Sequence, residues 1–580
     1  MPRFWSTSPA GKRLYEQRVL WKDEDLTMLR VLLVAEGNAQ RAVALAEHLE
    51  RHTPDARICG VIYLVPTRSG ARRFRVRDGL RSCGRAAGRC LLGFIHGGWP
   101  RRPKTEGSAE EILLRTCSQA GRDILLTSNI TDTKVSKWAQ RTDPDVIIGL
   151  GLSLVPIKLS AVPKVAMLWA RTQLVDSIGG KNSQPPRSVS NLRPTQIEIT
   201  QITSGVKDLI TKFNLNPQPL DTSVSMELKS QLILRDLLVR SVAVIAKYPR
   251  ENPAERINEW VRHMLPSYLG PAGDPALDDV RDSVPPPRLR SVSKLCVYSL
   301  LLLSPTVLWR NWSRRLRRRH PVLILNSHLI SDREHRMSLS TEAFYHQVEF
   351  FKRYYRIVKL SDAFHLLKSG NVREPTLVLT FDDGYEDNFV NLRAVCEETG
   401  VPVALFVSMD PVTQRREFTH DYERGIKGFR ALTWDQIRYW AADGTEFQSH
   451  TCSHFDCGSV DREALEKEMV ESKRDLEGQL GRPVESFAFP FGKPKNMSAV
   501  AMSIASKTYD HFFSSYGGEN LPSDSESHKH LFRKHLQGNA WESELELQDI
   551  FSVAAAFKRF IRIVPRSSGV RELIRSDGNR

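Results

Sequence analysis

Apolar runs of strand length alternate with amphipathic segments in the first half of the chain. Residues 28–50 (MLRVLLVAEGNAQRAVALAEHLE) predict a strand, a turn and an amphipathic helix, and residues 56–66 predict a second strand. Further apolar runs lie at 123–130 and 145–156, and a long helix is predicted over 220–247. Strands that alternate with helices are typical of βαβ units. We therefore expect a Rossmann-like parallel sheet in this half.

A second alternation begins at Pro321. Strands are predicted in VLILNSHLI (322–330), PTLVLTFDDG (375–384), VPVALFVS (401–408) and SFAFPFG (486–492), with helical segments between them. A (β/α) barrel and an open α/β sheet both accommodate this pattern. The fold class predicted for both halves is α/β.

Polar and proline-rich segments divide the chain into five predicted parts. These are a polar tail (1–28), a first α/β domain (29–250), a linker (251–320), a second α/β domain (321–565) and a polar tail (566–580). At 580 residues the chain is too long for one ordinary core, which agrees with more than one domain.

Charge adds a preference for anionic surroundings, because the formal net charge is +16. The basic segment 68–104 comes with no nucleic-acid-binding motif, so a solvated insertion is favoured and a nucleic-acid partner is not expected. In segment 293–320, Trp309 and Trp312 precede a run of arginines. This pattern fits an interfacial helix on an anionic membrane and equally a helix packed on its own protein.

Cysteine spacing and hydropathy bear on the cellular compartment. The eight cysteines form no C-x-x-C pair, the first 26 residues have no apolar core typical of a secretory signal, and no clean apolar run reaches spanning length. A reducing compartment fits best. We expect a cytoplasmic protein, either free or peripheral to the inner face of the membrane.

Asp382 and Asp383 end a predicted buried strand side by side. Two adjacent carboxylates cost free energy unless a cation or a proton lies beside them. The carboxyl ends of strands are also where α/β folds bind their ligands. A simple turn is the alternative for an isolated Asp-Asp-Gly.

His450 and His454 follow a later predicted strand at i and i+4. We expect this spacing to place both imidazoles on one side of a helical turn, although such pairs are often surface histidines. One carboxylate and two histidines suit one divalent ion, zinc first, with cobalt, manganese, iron or nickel as alternatives. The second carboxylate could then accept a proton from water.

Residues 321 to about 540 resemble the NodB-homology polysaccharide deacetylases. The match includes TFDDGYEDN (380–388), HTCSH (450–454), LTWDQIRYWAADG (432–444) and SFAFPFGKP (486–494), in order and spacing. The resemblance implies a distorted (β/α) barrel and metal-dependent removal of acetyl groups from a sugar or polysaccharide precursor. N-acetyl groups are the favoured target, and O-acetyl groups are the alternative. The resemblance makes Asp382 the general base and assigns the metal to Asp383, His450 and His454.

The same resemblance assigns a substrate groove and leaves two roles open. The groove motif comprises Phe489, Pro490, Phe491 and Gly492. Ala488 stands where many members carry the arginine that orients the base, and Arg533 is the candidate replacement. His328 matches the histidine of a Tyr-His pair that acts as general acid in poly-N-acetylglucosamine deacetylases, with Ser327 in place of the tyrosine. His535 is the alternative acid.

Residues 29 to 247 resemble the formyltransferase fold through PDVIIGLGLSLVPIKLSAVPKVAMLWA and IEITQITSGVKDL. Leu168, Ala170 and Lys207 stand where that family needs Asn, His and Asp, so we expect a degenerate, non-catalytic domain. Two functions remain for the whole chain. One is an active deacetylase acting on an acetylated glycan, and the other is a non-catalytic carbohydrate-binding or scaffold protein of polysaccharide biosynthesis.

Overall fold

The structure is a computed structural model of the chain. It describes residues 28–36, 39–64, 115, 117–120, 122–127, 129–150, 159, 162–174, 192, 194–203, 206–248, 253–266, 298, 300–522 and 529–550. The basic segment 68–104, nearly all of the first tail, the second tail and much of the linker lie outside these residues. The predicted domain boundaries stay predictions.

The N-terminal half contains one seven-stranded sheet of order β3-β2-β1-β4-β5-β6-β7. Its strands are β1 (Leu29–Glu36), β2 (Ala56–Leu64), β3 (Asp123–Thr127), β4 (Val146–Leu150), β5 (Ala166–Leu174), β6 (Thr195–Thr203) and β7 (Val206–Leu215). The first five are parallel, which confirms the Rossmann-like prediction, whereas β6 and β7 pair antiparallel. Only two residues separate β6 from β7, too few for a parallel crossover.

Within the described residues, four helices accompany this sheet: α1 (Ala39–His52), α2 (Thr133–Thr142), α3 (Ser223–Lys247) and α4 (Ala254–Met264). Thr222 and Ser225 form a capping box that starts α3. Most of α3 is buried, because it lies between the N-terminal sheet and the second half of the chain. Buried ion pairs join the two halves there, with Lys229 Nζ 2.9 Å from Asp332 Oδ2.

The C-terminal half forms a nearly closed parallel barrel of order β17-β16-β15-β14-β13-β12-β8-β18, with β11 beside β12. Its strands are β8 (Val322–Ser327), β11 (Arg356–Ile357), β12 (Thr376–Phe381), β13 (Ala404–Val407), β14 (Glu446–Ser449), β15 (Ser486–Ala488), β16 (His511–Ser514), β17 (His530–Phe532) and β18 (Lys534–His535). A separate two-stranded pair comprises β9 (Leu329–Ile330) and β10 (Ser338–Leu339). Arg533 alone separates β17 from β18, so this residue joins the two edges of the sheet.

Helices cover the barrel between its strands. They are α5 (Pro305–Arg317), α6 (Thr341–Tyr354), α7 (Leu360–Lys368), α8 (Asn391–Thr399), α9 (Met409–Gln414), α10 (Thr419–Tyr422), α11 (Trp434–Ala442), α12 (Arg462–Glu466), α13 (Ser472–Leu480), α14 (Ala499–Thr508) and α15 (Ala540–Leu547). A π-helical segment, Lys467–Glu471, joins α12 to α13, and short 3₁₀ helices span Glu386–Phe389 and Pro494–Asn496. Within the ranges given above, no helix has the length and apolarity needed to cross a bilayer.

Strand register determines which side chains meet at the mouth of the barrel. Ser327 at the end of β8 pairs with Phe381 at the end of β12. Val407 at the end of β13 pairs with Ser449 at the end of β14. The residues that follow these strands therefore emerge at the same edge of the sheet, the carboxyl end.

Candidate active site

The two acidic residues and two histidines singled out in the sequence lie together at the carboxyl end of the barrel. Asp382 and Asp383 follow β12, and His450 follows β14, two strands away. Asp383, His450 and His454 each present a donor atom, and these three atoms lie within 4.8 Å of one another. The exposed fractions of Asp383 and His450 are only 1% each, so the cluster is buried.

Asp383 is an orphaned carboxylate. Neither of its oxygens has a hydrogen-bond partner among the described residues. Its Oδ1 lies 3.5 Å from His450 Nε2 and 3.2 Å from His454 Nε2. Burial alone would raise the pKa of Asp383, but the adjacent His454 and His450 hold that pKa well below its usual range. The carboxylate is thus buried between two imidazoles that favour its charged form.

The histidines present their Nε2 atoms towards this carboxylate. His450 Nδ1 lies 2.8 Å from the carbonyl oxygen of Ala488, so Nδ1 carries the proton and donates it there. Nε2 of His450 is then the ring nitrogen that faces Asp383. The ring of His454 packs edge-on against Phe491, with ring centroids 4.9 Å apart.

The loop that carries His450 and His454 is not helical, which corrects the expectation of a helical turn. Thr451 and His454 have φ values of 65° and 63°, in the left-handed region. Thr451 Oγ1 accepts a hydrogen bond from the backbone N–H of Phe455 at 3.0 Å, and Glu468 accepts one from that of Ser453 at 2.8 Å. These bonds offset the conformational cost of the loop, and the two imidazoles still meet.

A glycine follows the acidic pair because the backbone turns sharply there. Asp383 has φ 70° and Gly384 has φ 91°. A Cβ on Gly384 would lie 2.8 Å from Cγ1 of Val407. Both the positive φ and the close approach to β13 therefore require glycine at this position.

A divalent cation fits this cluster. One carboxylate oxygen and two imidazole nitrogens converge, and neither oxygen of the carboxylate has a hydrogen-bond partner within the described part of the chain. Two histidines and one carboxylate form a common ligand set for zinc and related ions, with further positions open to water or substrate.

Arg533 binds the neighbouring carboxylate, Asp382, in a bidentate manner. Nη1 lies 2.6 Å from Oδ1, and Nη2 lies 2.8 Å from Oδ2. Nη2 also donates to Ser515 Oγ at 3.0 Å, and the guanidinium is fully buried. Burial would raise the pKa of Asp382, but Arg533 lowers it below its ordinary value. Arg533 thus supplies the bidentate contact to Asp382 in a chain that carries alanine at position 488.

The two candidate acids lie at the ends of adjacent strands. His328 follows β8, and burial lowers its pKa while Asp383 and Asp382 oppose that effect. His535 ends β18 and pairs with Asn326, farther back along β8. Of the two, His328 is the histidine whose charge is coupled to both aspartates.

The four residues of the groove motif divide into core and surface. Phe489 is 1% exposed and packs against Phe487 and Phe512, so its side chain belongs to the core. This placement corrects the expectation that the Phe489 side chain lines a groove. Phe491 is 49% exposed beside His454, and Pro490 and Gly492 are buried.

A third histidine near the cluster was missed by the sequence analysis. His420, in α10, places Nε2 3.8 Å from Asp383 Oδ2 and 2.9 Å from the hydroxyl oxygen of Tyr385. Burial lowers the pKa of His420 to about 4, although Asp383 opposes this shift. A lone histidine between predicted elements gives no signal of this placement, since only the fold of the 408–432 loop brings it to the site.

The positions aligned with formyltransferase chemistry carry no reactive group at a cavity. Leu168 and Ala170 are fully buried in β5 as part of the core. Lys207, in β7, lies over the ring of Trp169 with Nζ 5.8 Å from the centroid.

A comparison with family models agrees with the deacetylase resemblance. Residues 369–508 match the family model described as polysaccharide deacetylase, which confirms that resemblance for this part of the barrel. YxkH of Bacillus subtilis (strain 168), a polysaccharide deacetylase by its description, is 22% identical over 120 residues. The match covers 21% of this chain and 38% of YxkH, so the chain spans well under half of that relative.

Solved structures resemble each half at low identity. The Streptococcus pyogenes deacetylase PplD in complex with acetate is 19% identical, with a TM-score of 0.33, over 40% of this chain and 98% of PplD. The phosphoribosylglycinamide formyltransferase of Bacillus halodurans is 14% identical, with a TM-score of 0.24, over 38% of this chain and 96% of its own. The formyltransferase likeness falls on the N-terminal region.

Proposed function

We propose that the barrel removes acetyl groups from an N-acetylated sugar or polysaccharide precursor, with O-acetylated sugars as the less favoured substrates. One divalent ion, zinc first, would be held by Asp383, His450 and His454. The observation that carries this proposal is the pairing of two unlike carboxylates. Asp383 is orphaned between two imidazoles, and Asp382 beside it is held by Arg533.

Each protein group has a part in amide hydrolysis. When bound, a divalent ion supplies Lewis-acid polarisation of the acetyl carbonyl and lowers the pKa of water. Asp382 accepts the proton of the attacking water, and Arg533 holds the two carboxylate oxygens in position for that transfer. As the C–N bond breaks, His328 donates a proton to the departing nitrogen. The products are acetate and a free amino sugar.

His328 is favoured over His535 as the acid because of strand register. β8 and β12 end together, so His328 emerges beside Asp382. His535 lies one strand farther away and pairs with Asn326 rather than with the end of β8. The exposed ring of Phe491 would form one wall of the sugar site.

The alternative, a scaffold that has lost turnover, was suggested by Ala488 and by the uncertain acid. Arg533 removes the first reason, since Asp382 has its bidentate partner from another strand. The enzyme proposal is therefore the better supported of the two.

Acetate release tests this proposal. The full chain is incubated with N-acetylated chito-oligosaccharides and, separately, with O-acetylated xylan, before and after chelation and zinc return. We expect release from the first substrate, loss with chelator and recovery with zinc. Equal release by wild type and Asp382→Asn on every substrate would sink the proposal.

We also propose that α5 attaches the chain to an anionic membrane surface. Trp309, Trp312 and Leu316 lie on one face of α5 and are 66%, 50% and 69% exposed, and Arg315 and Arg317 beside them are exposed. Tryptophan with arginine favours the interface of an anionic bilayer. α5 leads into the amino end of β8, opposite Asp382, so this concerns attachment rather than substrate delivery.

Vesicle sedimentation tests the attachment. Wild type is expected to sediment with phosphatidylglycerol vesicles and not with phosphatidylcholine vesicles, and Trp309→Ala/Trp312→Ala is expected to stay in the supernatant. Wild type that ignores both vesicles would overturn the idea. A dimer seen by analytical ultracentrifugation, in which the exposed tryptophans join two copies of the chain, would also overturn it.

A further inference from the structure

A second cluster of potential metal ligands lies where the N-terminal half meets the barrel. His48 and His52 are one turn apart on α1, and Asp443 directly follows α11. His48 Nδ1 lies 2.9 Å and His52 Nε2 lies 2.7 Å from the same oxygen, Asp443 Oδ1. The side chains of His48, His52 and Asp443 are 2%, 11% and 7% exposed. The three donor atoms lie within 4.8 Å of one another.

We propose that His48, His52 and Asp443 bind a divalent transition-metal ion that fastens α1 to the barrel. Two imidazoles and one carboxylate suit zinc, cobalt or nickel. Because the ligands come from both halves of the chain, the ion acts as a structural clip.

The surroundings of the two imidazoles are those of metal ligands. The second ring nitrogen of His48, Nε2, faces the hydroxyl oxygen of Tyr439 at 3.1 Å and a carboxylate oxygen of Asp236 at 3.5 Å. A carboxylate or hydroxyl behind a ligating histidine fixes its ring and makes it a better ligand. The ring of Tyr439 stacks on His52 with centroids 4.5 Å apart, which holds the second imidazole.

The charge of the cluster leaves room for a cation. Arg393 forms a bidentate pair with Asp236 at 2.6 and 2.9 Å and is 3.5 Å from Asp443 Oδ2. Arg235 pairs with Glu397 and Asp236. Three carboxylates thus face two guanidinium groups, so one negative charge is in excess when both histidines are neutral. Oδ1 of Asp443 is the oxygen that faces the histidines.

The geometry requires only a small adjustment. Ligand bonds of about 2.0–2.1 Å in a tetrahedral site separate donor atoms by about 3.3 Å. The present separations from Asp443 Oδ1 are 2.9 Å for His48 Nδ1 and 2.7 Å for His52 Nε2. Each imidazole must therefore move away from that oxygen by only a few tenths of an ångström. The ion would take the place of the two ring protons that point at Oδ1, and each neutral imidazole would then carry its proton on the other ring nitrogen, Nε2 of His48 and Nδ1 of His52. A proton-only hydrogen-bond network is the competing arrangement.

Metal content of paired-histidine variants separates these arrangements. The His450→Gln/His454→Gln chain lacks the active-site ligands but keeps the second cluster intact. After loading with zinc and dialysis, we expect this variant to retain about one ion per chain. The four-histidine variant, in which His48, His52, His450 and His454 are all replaced by Gln, is expected to retain none. With cobalt, the retained ion is expected to show the visible d–d absorption of a tetrahedral site. His346→Gln/His365→Gln, which removes two exposed histidines elsewhere, is the matched control and is expected to bind as wild type.

Two results would overturn the proposal. One is a His450→Gln/His454→Gln chain that retains no zinc or cobalt while wild type retains about one ion. The other is a His48→Gln/His52→Gln chain with the same metal content as wild type. Thermal unfolding gives a second readout: zinc is expected to raise the Tm of the His450→Gln/His454→Gln chain and not that of the four-histidine chain. The deacetylase proposal is unaffected by either result, because it fails instead when His450→Gln/His454→Gln keeps wild-type activity.

Discussion

Two clusters in this chain carry the same donors, one aspartate and two histidines at i and i+4, in different settings. At the barrel mouth, Asp383 faces His450 and His454 with no hydrogen-bond donor of its own. At the contact between the halves, one oxygen of Asp443 lies at hydrogen-bond distance from ring nitrogens of both His48 and His52.

The difference lies in what stands beside each cluster. Asp382, a second carboxylate steadied by Arg533, adjoins the first cluster and could accept a proton. Beside the second cluster, Asp236 accepts hydrogen bonds from two arginines, Arg393 and Arg235, and lies at the contact between the halves rather than at the mouth of the barrel. Identical ligands can thus serve catalysis in one place and attachment in the other, and the neighbouring groups decide which.

The largest expected effect separates the two clusters by activity. His450→Gln/His454→Gln should lower acetate release by at least about 10²–10⁴-fold, since the base then has no activated water to deprotonate. His48→Gln/His52→Gln should retain activity within about twofold where the chain is folded, because its site holds no base. Comparable losses in both variants would break the comparison.

Arg533 is expected to give the next largest effect. Arg533→Met should lower kcat by about 10–100-fold, as for groups that orient an active-site residue, with KM and metal content little changed. Arg533→Lys keeps the charge but not the bidentate contact, so its kcat should lie between those of wild type and Arg533→Met. Circular dichroism must first show each variant folded, because removing one partner of a buried pair costs about 3–5 kcal/mol. Wild-type kcat in Arg533→Met would remove Arg533 from the account.

The ion pair behind the second cluster should affect stability rather than chemistry. Asp236→Asn leaves Arg393 buried without its partner, so the free energy of unfolding should fall by about 3–5 kcal/mol. Urea unfolding measures this, and the double variant Asp236→Asn/Arg393→Met should regain part of the loss. An unchanged midpoint for Asp236→Asn would show that the pair does not hold the halves together.

Cys452 should give the smallest effect. It lies between His450 and His454 in sequence, yet its Sγ faces the carbonyl oxygen of Lys467 at 3.8 Å rather than Asp383. Cys452→Ala should therefore keep its metal content and lose about 1 kcal/mol of stability, a typical value for one substitution. A variant that binds no metal would make Cys452 a ligand and change the first cluster.

The sequence was sufficient to predict the location of site residues whose position depends on a single strand. Asp382 and Asp383 end an apolar run, and strand ends at the mouth of an α/β fold bring such groups together. The spacing of His450 and His454 was informative about their proximity but not about the backbone, since a loop with two left-handed residues satisfies it as well as a helix does.

The positions of residues that reach a site from distant parts of the chain could not be predicted from local sequence patterns. Arg533 is 151 residues from Asp382 and arrives only because β17 and β18 close the barrel; it could be suggested but not placed. Asp443 is 391 residues from His52, and the packing of the two halves decides that contact. Phe489 shows the reverse case, because it directly follows β15 at the mouth of the barrel, yet its ring packs in the core.

The most direct measurement compares Asp382→Asn with wild type at equal metal content. Both chains are stripped with chelator, reloaded with zinc to the same measured ratio and assayed for acetate release from an N-acetylated chito-oligosaccharide. The account predicts that Asp382→Asn binds zinc as wild type does and releases acetate about 10²–10⁴-fold more slowly. Equal rates at equal zinc content would contradict the assignment of Asp382 as the base and, with it, the proposed reaction.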